Sequence, residues 1–320
     1  MASMTSGLSR RRNAGSGLNS TNSSYESTST IDRTVSMENG VRIAVDPNDV
    51  PDEEDKNQPN LTLMEEVLLL GLKDKQGYLS FWNDNISYTL RGCILMELAF
   101  RGRIAMVKDY NRRKVPLSER SIEVIDDKQT NEVLLDEALK MMKQSETMSV
   151  GSWIDLMSGE TWNVLKIGYQ LKQVRERLAK GLVDKGILRT EKRNFLLFDM
   201  ATHPVSDSSA KDEIVKRVIK TLTHVNSSAT SLDPDIPFGQ LRTVAMVCAA
   251  YAANVLENAL VQLSHEMRER AYTKVDELLS EYSSWPFSKK VKVDIPEGKD
   301  LQIEVVAAVL NVFTKMDSIL

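Results

Sequence analysis

Hydrophobic residues recur along most of the chain at intervals of three and four positions, the spacing that aligns them on one side of an α-helix. Thr62 and Glu65 have the spacing of a capping box immediately before an apolar run, so a first, buried helix is predicted to begin there. Short strands are predicted at residues 104–107 and 121–125. Further helices are predicted over residues 86–98, 132–143, 162–185, 214–222, 241–263, 267–282 and 304–316. The pattern therefore predicts a mainly α fold.

The clearest of these helices covers residues 162–185 and is followed by a predicted β-hairpin. Its apolar stripe alternates steps of four and three, and Gly186 suits the C-terminal cap. The hairpin is predicted from strands at residues 187–190 and 195–199, joined by a polar tip at residues 191–194. The second strand is apolar on both faces, so it needs cover on each face or forms a contact surface. Its apolar side chains are Phe195, Leu196, Leu197 and Phe198.

The first 59 residues differ in composition from the rest of the chain. They include 10 Ser and 5 Thr with few apolar residues, too few to offset the entropy lost on ordering, so a disordered tail is predicted. Residues 60–320 form the predicted folded domain. A basic cluster of Arg10, Arg11 and Arg12 lies near the start of the tail. This cluster is either a docking motif for an acidic partner or an ordinary solvated run of charge.

The charge balance limits the surfaces that the protein offers to nucleic acid. The 320 residues carry 41 Lys+Arg and 45 Asp+Glu, a formal net charge of -4. A surface that follows a polyanion needs many unopposed cations, so any anion site here must be local. A winged-helix nucleic-acid module, with the predicted helix 162–185 in a groove and the hairpin as its wing, is an alternative that the apolar strand and the charge balance disfavour.

Cysteine usage and hydropathy indicate a cytosolic protein. Cys93 and Cys248 both lie in apolar stretches, and two cysteines are too few for a disulfide framework or a cysteine-based zinc site. No apolar run reaches the length of a membrane-spanning helix, and the N-terminal residues lack the apolar core of a signal peptide. We therefore expect neither secretion nor membrane spanning.

Sequence signals of catalysis are poor. The chain contains no GxGxxG, GxxxxGK[ST], HExxH or GxSxG motif. His203, His224 and His265 have no Cys or His neighbour at metal-ligand spacing, so each is interpreted as an ordinary structural or surface residue. We therefore expect no catalytic residue, no metal and no cofactor. An unrecognised hydrolase is the third class considered, and it lacks a recognisable nucleophile and base.

Three basic residues and one aromatic residue are candidates for an anion or membrane site. Lys172 and Arg175 lie three positions apart, so on a continuous helix they would share one solvent-facing patch that could grip a phosphate. Arg91, on the second predicted helix, is similar. The alternative is that these are ordinary solvated side chains. Trp82 lies in a polar loop, where it either packs against the next helix or is available to a membrane interface or a sugar ring.

Several longer stretches of the chain resemble one protein family. They are LTLMEEVLLLGL at 61–72, GYLSFWND at 77–84, LRGC at 90–93, SGETWN at 158–163, VRERLAKGLVDKGIL at 174–188 and NFLLFDMATHP at 194–204. In this order they resemble the Golgi phosphoprotein 3 family, and the C-terminal part is most similar to its fungal vacuolar-protein-sorting branch. The resemblance covers residues 60–320. It implies a helical domain around a central bundle with a protruding β-hairpin.

The resemblance also implies a function without catalysis. It implies a peripheral protein on the cytoplasmic face of the Golgi membrane that binds phosphatidylinositol 4-phosphate. It further implies that the protein links the cytosolic tails of Golgi glycosyltransferases to the coatomer (COPI) coat, which retains them by retrograde sorting. A homo-oligomer is implied, and nucleic acid is not among the implied partners.

Individual residues carry these implied roles. The lipid headgroup site falls on Trp82, Arg91, Lys172 and Arg175. The hairpin residues implied to contact another protomer or the membrane are Phe195, Leu196, Leu197 and Phe198. The cluster implied to bind coatomer is Arg10, Arg11 and Arg12. Animal members of the family have Arg at the position of Lys172, so the charge is kept here but the planar bidentate fork is not.

Overall fold

The computed structural model of the chain describes residues 37–38, 41–42, 57–79, 85–161, 163–195, 198–223, 235–288, 291, 293 and 295–316. The chain divides into two units, Met1–Pro51 and Asp52–Leu320. In the first unit, strand β1 (Met37–Glu38) pairs antiparallel with β2 (Val41–Arg42). These four residues lie within the segment predicted to be disordered, and they form a short ladder. The basic cluster Arg10 to Arg12 lies outside the described residues.

The second unit is mainly helical in its described residues, which confirms the predicted fold class. Ten α-helices are described: α1 (Leu63–Gly71), α2 (Asn85–Phe100), α3 (Val133–Lys143), α4 (Val150–Ser158), α5 (Val174–Asp184), α6 (Ser209–Thr223), α7 (Gly239–Ala252), α8 (Leu256–Leu260), α9 (His265–Tyr282) and α10 (Asp300–Phe313). Short 3₁₀ helices cover Arg112–Lys114, Leu117–Glu119 and Val164–Tyr169. None of the described helices is both long and apolar enough to cross a bilayer.

Helix α1 is buried over its whole length and begins with the predicted capping box. The Thr62 hydroxyl accepts a hydrogen bond from the Glu65 backbone N–H, and the Glu65 carboxylate accepts one from the Thr62 backbone N–H at 2.9 Å. Each bond satisfies a backbone donor that the helix itself cannot pair. The helix packs against α2, α5, α6, α7 and α8. The capping box therefore fixes the start of a central element.

Helices α2, α7 and α10 form the rest of the central core with α1. Gly92 permits a close approach of α2 and α10, because a Cβ at this position would lie 2.6 Å from the Phe313 ring. Buried ion pairs also cross the core. Glu97 on α2, with no exposed surface, pairs with Arg242 on α7 at 3.0 Å and with Arg101 at 2.9 Å. Such pairs are costly to break singly, because the remaining charge is left buried without a partner.

A small antiparallel sheet flanks the helices. Strands β3 (Ile104–Met106), β4 (Ser121–Val124) and β5 (Met148–Ser149) lie in that order. The first two confirm the predicted short strands. Cys93 and Cys248 are both buried and free.

The predicted helix 162–185 is wrong in its first half. Helix α5 begins only at Val174, and Gln173 before it has a left-handed backbone with φ of 53°. Upstream of this break the chain forms the 3₁₀ helix Val164–Tyr169, whose Ile167 is 50% exposed, whereas Leu171 is fully buried. The apolar residues have the spacing of one continuous stripe, but its residue in the 3₁₀ helix, Ile167, is exposed to solvent and its residues from Leu171 onward are buried in the core. Lys172 therefore precedes α5 and does not share a helix face with Arg175.

The predicted helix 241–263 is likewise two helices. Helix α7 ends at Ala252 and α8 begins at Leu256, with Asn254 between them at φ 54°. Asn tolerates the left-handed region better than most residues, so a helix can end there without glycine. The apolar pattern continues across the break because both helices bury side chains in the same core.

The hairpin is present, but its strands differ from the prediction. Strand β6 covers Glu191–Phe195 and β7 covers Phe198–Thr202, with Phe195 paired to Phe198. The polar segment predicted as the tip is therefore a strand, and the two residues that join the strands are Leu196 and Leu197, which lie outside the described residues. Exposure alternates over residues 191–194 of β6 and none of these four is buried, so this part of the ribbon has no core face that a hydrophobic pattern could mark.

The base of the hairpin is held against the loop after α1. The Gly77 carbonyl oxygen accepts a hydrogen bond from the His203 N–H at 2.8 Å, and the Asp74 carbonyl oxygen accepts one from the Val205 N–H at 2.9 Å. Gly77 has φ of 68°, and a Cβ there would lie 2.2 Å from the Pro204 backbone nitrogen. Only glycine fits this contact without displacing the hairpin base.

Candidate functional site

Arg91 joins three segments of the chain through its guanidinium group. Its Nε donates to the Met157 carbonyl oxygen at the end of α4, its Nη1 to the Ser87 carbonyl oxygen, and its Nη2 to the Leu171 carbonyl oxygen, at 3.3, 2.8 and 2.7 Å. The residue is 6% exposed. These three acceptors are neutral carbonyl groups, so the bonds orient the cation without neutralising it.

The electrostatic surroundings of Arg91 are unfavourable for a cation. Burial, and after it the positive charge of Arg175, lower the pKa of Arg91 to about 10, while Glu176 opposes both effects. Even so, the guanidinium remains charged at neutral pH. The effect of Arg175 on the pKa of Arg91 means that the two cations lie close enough to repel each other, and the carboxylate of Glu176 opposes this repulsion. A bound anion would relieve that repulsion.

Lys172 and Arg175 lie at the N-terminal end of α5. Lys172 is exposed, and Arg175 is partly exposed in the first turn of the helix. Gln173 at the N-cap position gives no side-chain hydrogen bond, and among the described residues the N–H groups of Val174, Arg175 and Glu176 have no acceptor. Free N–H groups and the positive end of the helix dipole favour an anion at this point.

Neither of these two cations has an acidic partner within the part of the chain that the structure describes. Lys172 and Arg175 form no ion pair and no side-chain hydrogen bond there. Elsewhere the buried or nearly buried arginines reach a carboxylate, as Arg112 and Arg120 both do at Glu304. The structure thus brings Arg175 near Arg91 and places Lys172 directly after Leu171, whose carbonyl Arg91 holds. Three predicted site residues therefore converge on one region.

The remaining predicted site residues cannot all be placed. Trp82, Leu196 and Leu197 lie outside the described residues. In the sequence, Trp82 is three positions before the start of α2. Phe195 and Phe198 end β6 and begin β7. The base of their hairpin is electrostatically linked to α5, because partial burial lowers the pKa of His203 while Glu176 raises it. Glu176 acts on Arg91 as well, so the hairpin base and the cation region share a neighbour.

Sequence reasoning missed two features of this region. The first is the left-handed backbone conformation of Gln173, which separates α5 from the residues before it. No glycine or proline occurs at this position to predict such a break. The second is the exposed apolar segment before it, where Val164 is 76% and Leu165 is 90% exposed. Both were hidden by an apolar stripe that reads as one helix. The signal that could have raised doubt is Gly168 within that stripe.

Within the described residues, no group of three or more His, Cys, Asp or Glu side chains is placed to hold a metal ion. Tyr88, one turn before Arg91 on α2, donates a hydrogen bond to Asp155 on α4 at 2.6 Å. Burial, followed by this bond and the charge of Asp155, raises the pKa of Tyr88 well above its usual range. Tyr88 therefore stays protonated and links the two helices that frame Arg91.

Comparisons with known proteins agree on one family. The model of the family described as Golgi phosphoprotein 3 (GPP34) matches residues 63–294. A Schizosaccharomyces pombe protein named vacuolar protein sorting-associated protein 74 is 58% identical over 340 aligned positions, covering 99% of this chain and 100% of that protein. A protein of the same name from Eremothecium gossypii is 52% identical over 298 positions, covering 87% of this chain and 90% of that protein.

Proposed function

Because the chain belongs to the Golgi phosphoprotein 3 family, we propose that it is a peripheral Golgi membrane adaptor that binds phosphatidylinositol 4-phosphate. In this proposal it links cytosolic tails of Golgi glycosyltransferases to the coatomer coat, which retains the enzymes by retrograde sorting. The family is named for the Golgi, and both relatives are named for vacuolar protein sorting. The proposal assigns no catalytic role.

The observation that carries the proposal is the group of cations without acidic partners around the start of α5. A phosphomonoester carries between one and two negative charges at neutral pH and offers three acceptor oxygens. Lys172 and Arg175 would bind these oxygens from the protein surface, together with the free N–H groups of the first turn. Hydrogen bonds between charged groups contribute about 1.5 to 3 kcal/mol each before ordering costs.

The three cations have different tasks in this proposal. Arg175 supplies a planar fork that can hold two phosphate oxygens, whereas Lys172 supplies a point charge. Arg91 is too buried for its whole guanidinium to reach a ligand, so it acts mainly by positioning the Leu171 backbone and by adding positive potential. Trp82 is assigned to the inositol ring or the lipid interface by the family resemblance.

One headgroup gives weak attachment, so a second membrane contact is part of the proposal. Each basic residue near an anionic surface adds only about 1 kcal/mol, which falls as salt increases. The hairpin is a suitable second contact because its connecting residues, Leu196 and Leu197, are apolar and flanked by Phe195 and Phe198. Oligomers that present several sites to one membrane would have the same effect.

Coat and cargo binding are assigned to other parts of the chain. The cluster Arg10 to Arg12 is proposed to bind coatomer, and its position more than forty residues before α1 gives it a long reach from the membrane. The glycosyltransferase tails are proposed to be short, basic and apolar.

The test is co-sedimentation with liposomes that contain either phosphatidylinositol 4-phosphate or phosphatidylinositol. We expect selective binding to the 4-phosphate and its loss in the Lys172→Ala, Arg175→Ala double variant. A matched control, Lys180→Ala with Lys216→Ala, removes two exposed lysines from α5 and α6 and should bind as the parent chain does. Equal binding to both lipids, or equal effects of the two double variants, would reject the site.

A further inference from the structure

An exposed apolar segment lies directly before the cation region. Val164, Leu165 and Ile167 are 76%, 90% and 50% exposed, and all three belong to the 3₁₀ helix Val164–Tyr169. They account for three of the eight large hydrophobic side chains that are exposed in the part of the chain that the structure describes. Single exposed hydrophobic residues are ordinary, but three within four positions form a patch that needs an explanation.

This segment is held in place rather than loosely attached. The Asn163 side chain accepts a hydrogen bond from the Leu165 N–H at 3.0 Å, which caps the start of the 3₁₀ helix. At its other end the Leu171 N–H donates to the Met157 carbonyl oxygen at 3.0 Å. The Tyr169 ring packs edge-on against Trp153, which is buried, with 5.9 Å between centroids. The inward-facing anchors therefore keep the apolar side chains directed outward.

The charges around the patch favour an anionic surface. Residues 161–175 contain Lys166, Lys172 and Arg175 and no acidic residue. Lys166 lies between Leu165 and Ile167, where a lysine can extend its ammonium group to the polar layer while its neighbours enter an apolar one. Exposed aliphatic side chains interleaved with cations are the composition that binds at a membrane interface.

We propose that residues 164–167 insert into the interfacial layer of the membrane and thereby turn the Lys172 and Arg175 side chains toward the lipid headgroups. This inference rests on the proposed membrane function and deepens it, because it names a membrane contact that is separate from the hairpin. The patch and the phosphate site would then engage one bilayer together. Each contact would raise the effective concentration of the other.

A second copy of this chain is a poorer occupant. A symmetric contact places the same patch of each protomer against the other. The Lys166, Lys172 and Arg175 side chains of both copies would then share one interface, with no acidic residue in the segment to pair with them. The lipid surface satisfies both the aliphatic side chains and the cations, whereas a second copy satisfies only the aliphatic ones.

The first experiment places a fluorophore on the patch. Cys93 and Cys248 are fully buried, so the variant Leu165→Cys can be labelled selectively with an environment-sensitive nitrobenzoxadiazole group. We expect a blue shift and increased emission on vesicles of phosphatidylcholine, phosphatidylserine and phosphatidylinositol 4-phosphate, and quenching by lipids that are spin-labelled near the headgroup. The same label at Glu277→Cys, exposed on α9, should not respond.

The second experiment changes vesicle affinity in both directions. Leu165→Asp should weaken vesicle binding about tenfold or more, because a charge replaces an inserted aliphatic side chain. A Cβ at Gly168 would meet no atom within 4 Å, so the side chain of Gly168→Leu starts in open space and should enlarge the apolar surface and strengthen binding several-fold. Because the two changes act in opposite directions, a general loss of folding cannot reproduce both.

Two outcomes would overturn the inference while leaving the headgroup site intact. One is an unresponsive label at residue 165 on vesicles to which the protein binds. The other is an altered oligomeric state in Leu165→Asp with unchanged vesicle affinity, which would make the patch a protein contact. Failure of the headgroup site would instead remove the preference for phosphatidylinositol 4-phosphate and leave the label response on phosphatidylserine vesicles.

Discussion

The Nη2 of Arg91 donates a hydrogen bond to the carbonyl oxygen of Leu171 at 2.7 Å, across 80 positions of sequence. This bond fixes the backbone immediately before Lys172, the residue that precedes the open N-terminus of α5. Arg91, whose guanidinium donates to neutral carbonyl groups, therefore positions the segment that carries a second cation, Lys172. In the proposed site, Arg91 serves both the fold and ligand binding, so a substitution there is expected to affect both.

Arg91→Ala is expected to lower the free energy of unfolding by about 3 kcal/mol, because the carbonyl groups of Ser87, Met157 and Leu171 lose their donor. It should also weaken binding to the 4-phosphate lipid. Urea unfolding and lipid binding measure the two effects separately. The Lys172→Ala, Arg175→Ala variant serves as the comparison: it should lose binding with stability within about 0.5 kcal/mol of the parent. A stable Arg91→Ala variant would contradict the positioning role.

Gly77→Ala is expected to destabilise the domain by about 3 kcal/mol and to displace the hairpin base. The added Cβ would lie 2.2 Å from the Pro204 nitrogen, and the left-handed backbone adds strain. Gly186→Ala is the matched control, since Gly186 has φ of 74° with no atom near the added Cβ. Urea unfolding should show a cost of only about 1 kcal/mol for the control, because its Cβ bears only the strain of the left-handed backbone. Equal costs would mean that the close contact at Pro204 is unimportant.

The buried carboxylate of Glu97 predicts a loss of stability in acid. Burial alone would raise its pKa, but the charges of Arg242 and Arg101 outweigh burial and hold the pKa below its usual range. A lowered folded-state pKa contributes stability above the unfolded-state value, and that contribution is lost as the pH falls through the folded-state value.

Glu97→Gln should therefore cost about 3 to 5 kcal/mol at neutral pH, with a smaller difference from the parent in acid. Chemical denaturation at several pH values measures both. Glu277→Gln, which removes an exposed partner of Lys274, should cost less than about 1 kcal/mol at every pH. A cost for Glu97→Gln that does not change with pH would show that the ion pairs do not control its ionisation.

The two residues that connect the hairpin strands should affect binding to membranes but not binding to a soluble form of the lipid headgroup. Leu196→Asp is expected to reduce affinity for vesicles containing phosphatidylinositol 4-phosphate about tenfold, because a charge replaces an apolar side chain between the strands. Binding of a short-chain, water-soluble form of the same lipid should be unchanged. Ala201→Asp introduces the same charge at an exposed position of β7, opposite Lys192, and serves as a control that should have a smaller effect. Equal losses would indicate simple charge repulsion.

The sequence was sufficient to predict elements whose residues have a single environment. The capping box at Thr62 and Glu65 is local, and the helix that follows is buried on all sides, so pattern and structure agree. The strands predicted at residues 104–107 and 121–125 each extend one residue beyond the observed strands, Ile104–Met106 and Ser121–Val124. The cations of the candidate site were identified from the sequence and its family resemblance.

The geometry of the site was not predictable in the same way. The break at Gln173 depends on a backbone conformation that is stabilised by distant groups, among them the Met157 carbonyl oxygen that accepts from Leu171. A periodic pattern shows how apolar residues are spaced but not which way their side chains face. The prediction therefore treated an exposed 3₁₀ helix and the α-helix after it as one helix. In the hairpin, the pattern placed the turn at the polar residues because it assumes that apolar residues avoid turns, whereas the pairing of Phe195 with Phe198 puts two leucines there.

The most direct test of the cation site is calorimetric titration of the full chain with dibutanoyl phosphatidylinositol 4-phosphate, which is soluble and needs no membrane contact. The 3-phosphate isomer and unphosphorylated phosphatidylinositol serve as comparisons. We expect one saturable site per chain for the 4-phosphate, weaker binding of the 3-phosphate and none of the unphosphorylated lipid, with binding abolished in Lys172→Ala, Arg175→Ala and kept in Lys180→Ala, Lys216→Ala. Binding that persists in the first double variant, or is lost equally in both, would contradict a phosphate site at the start of α5.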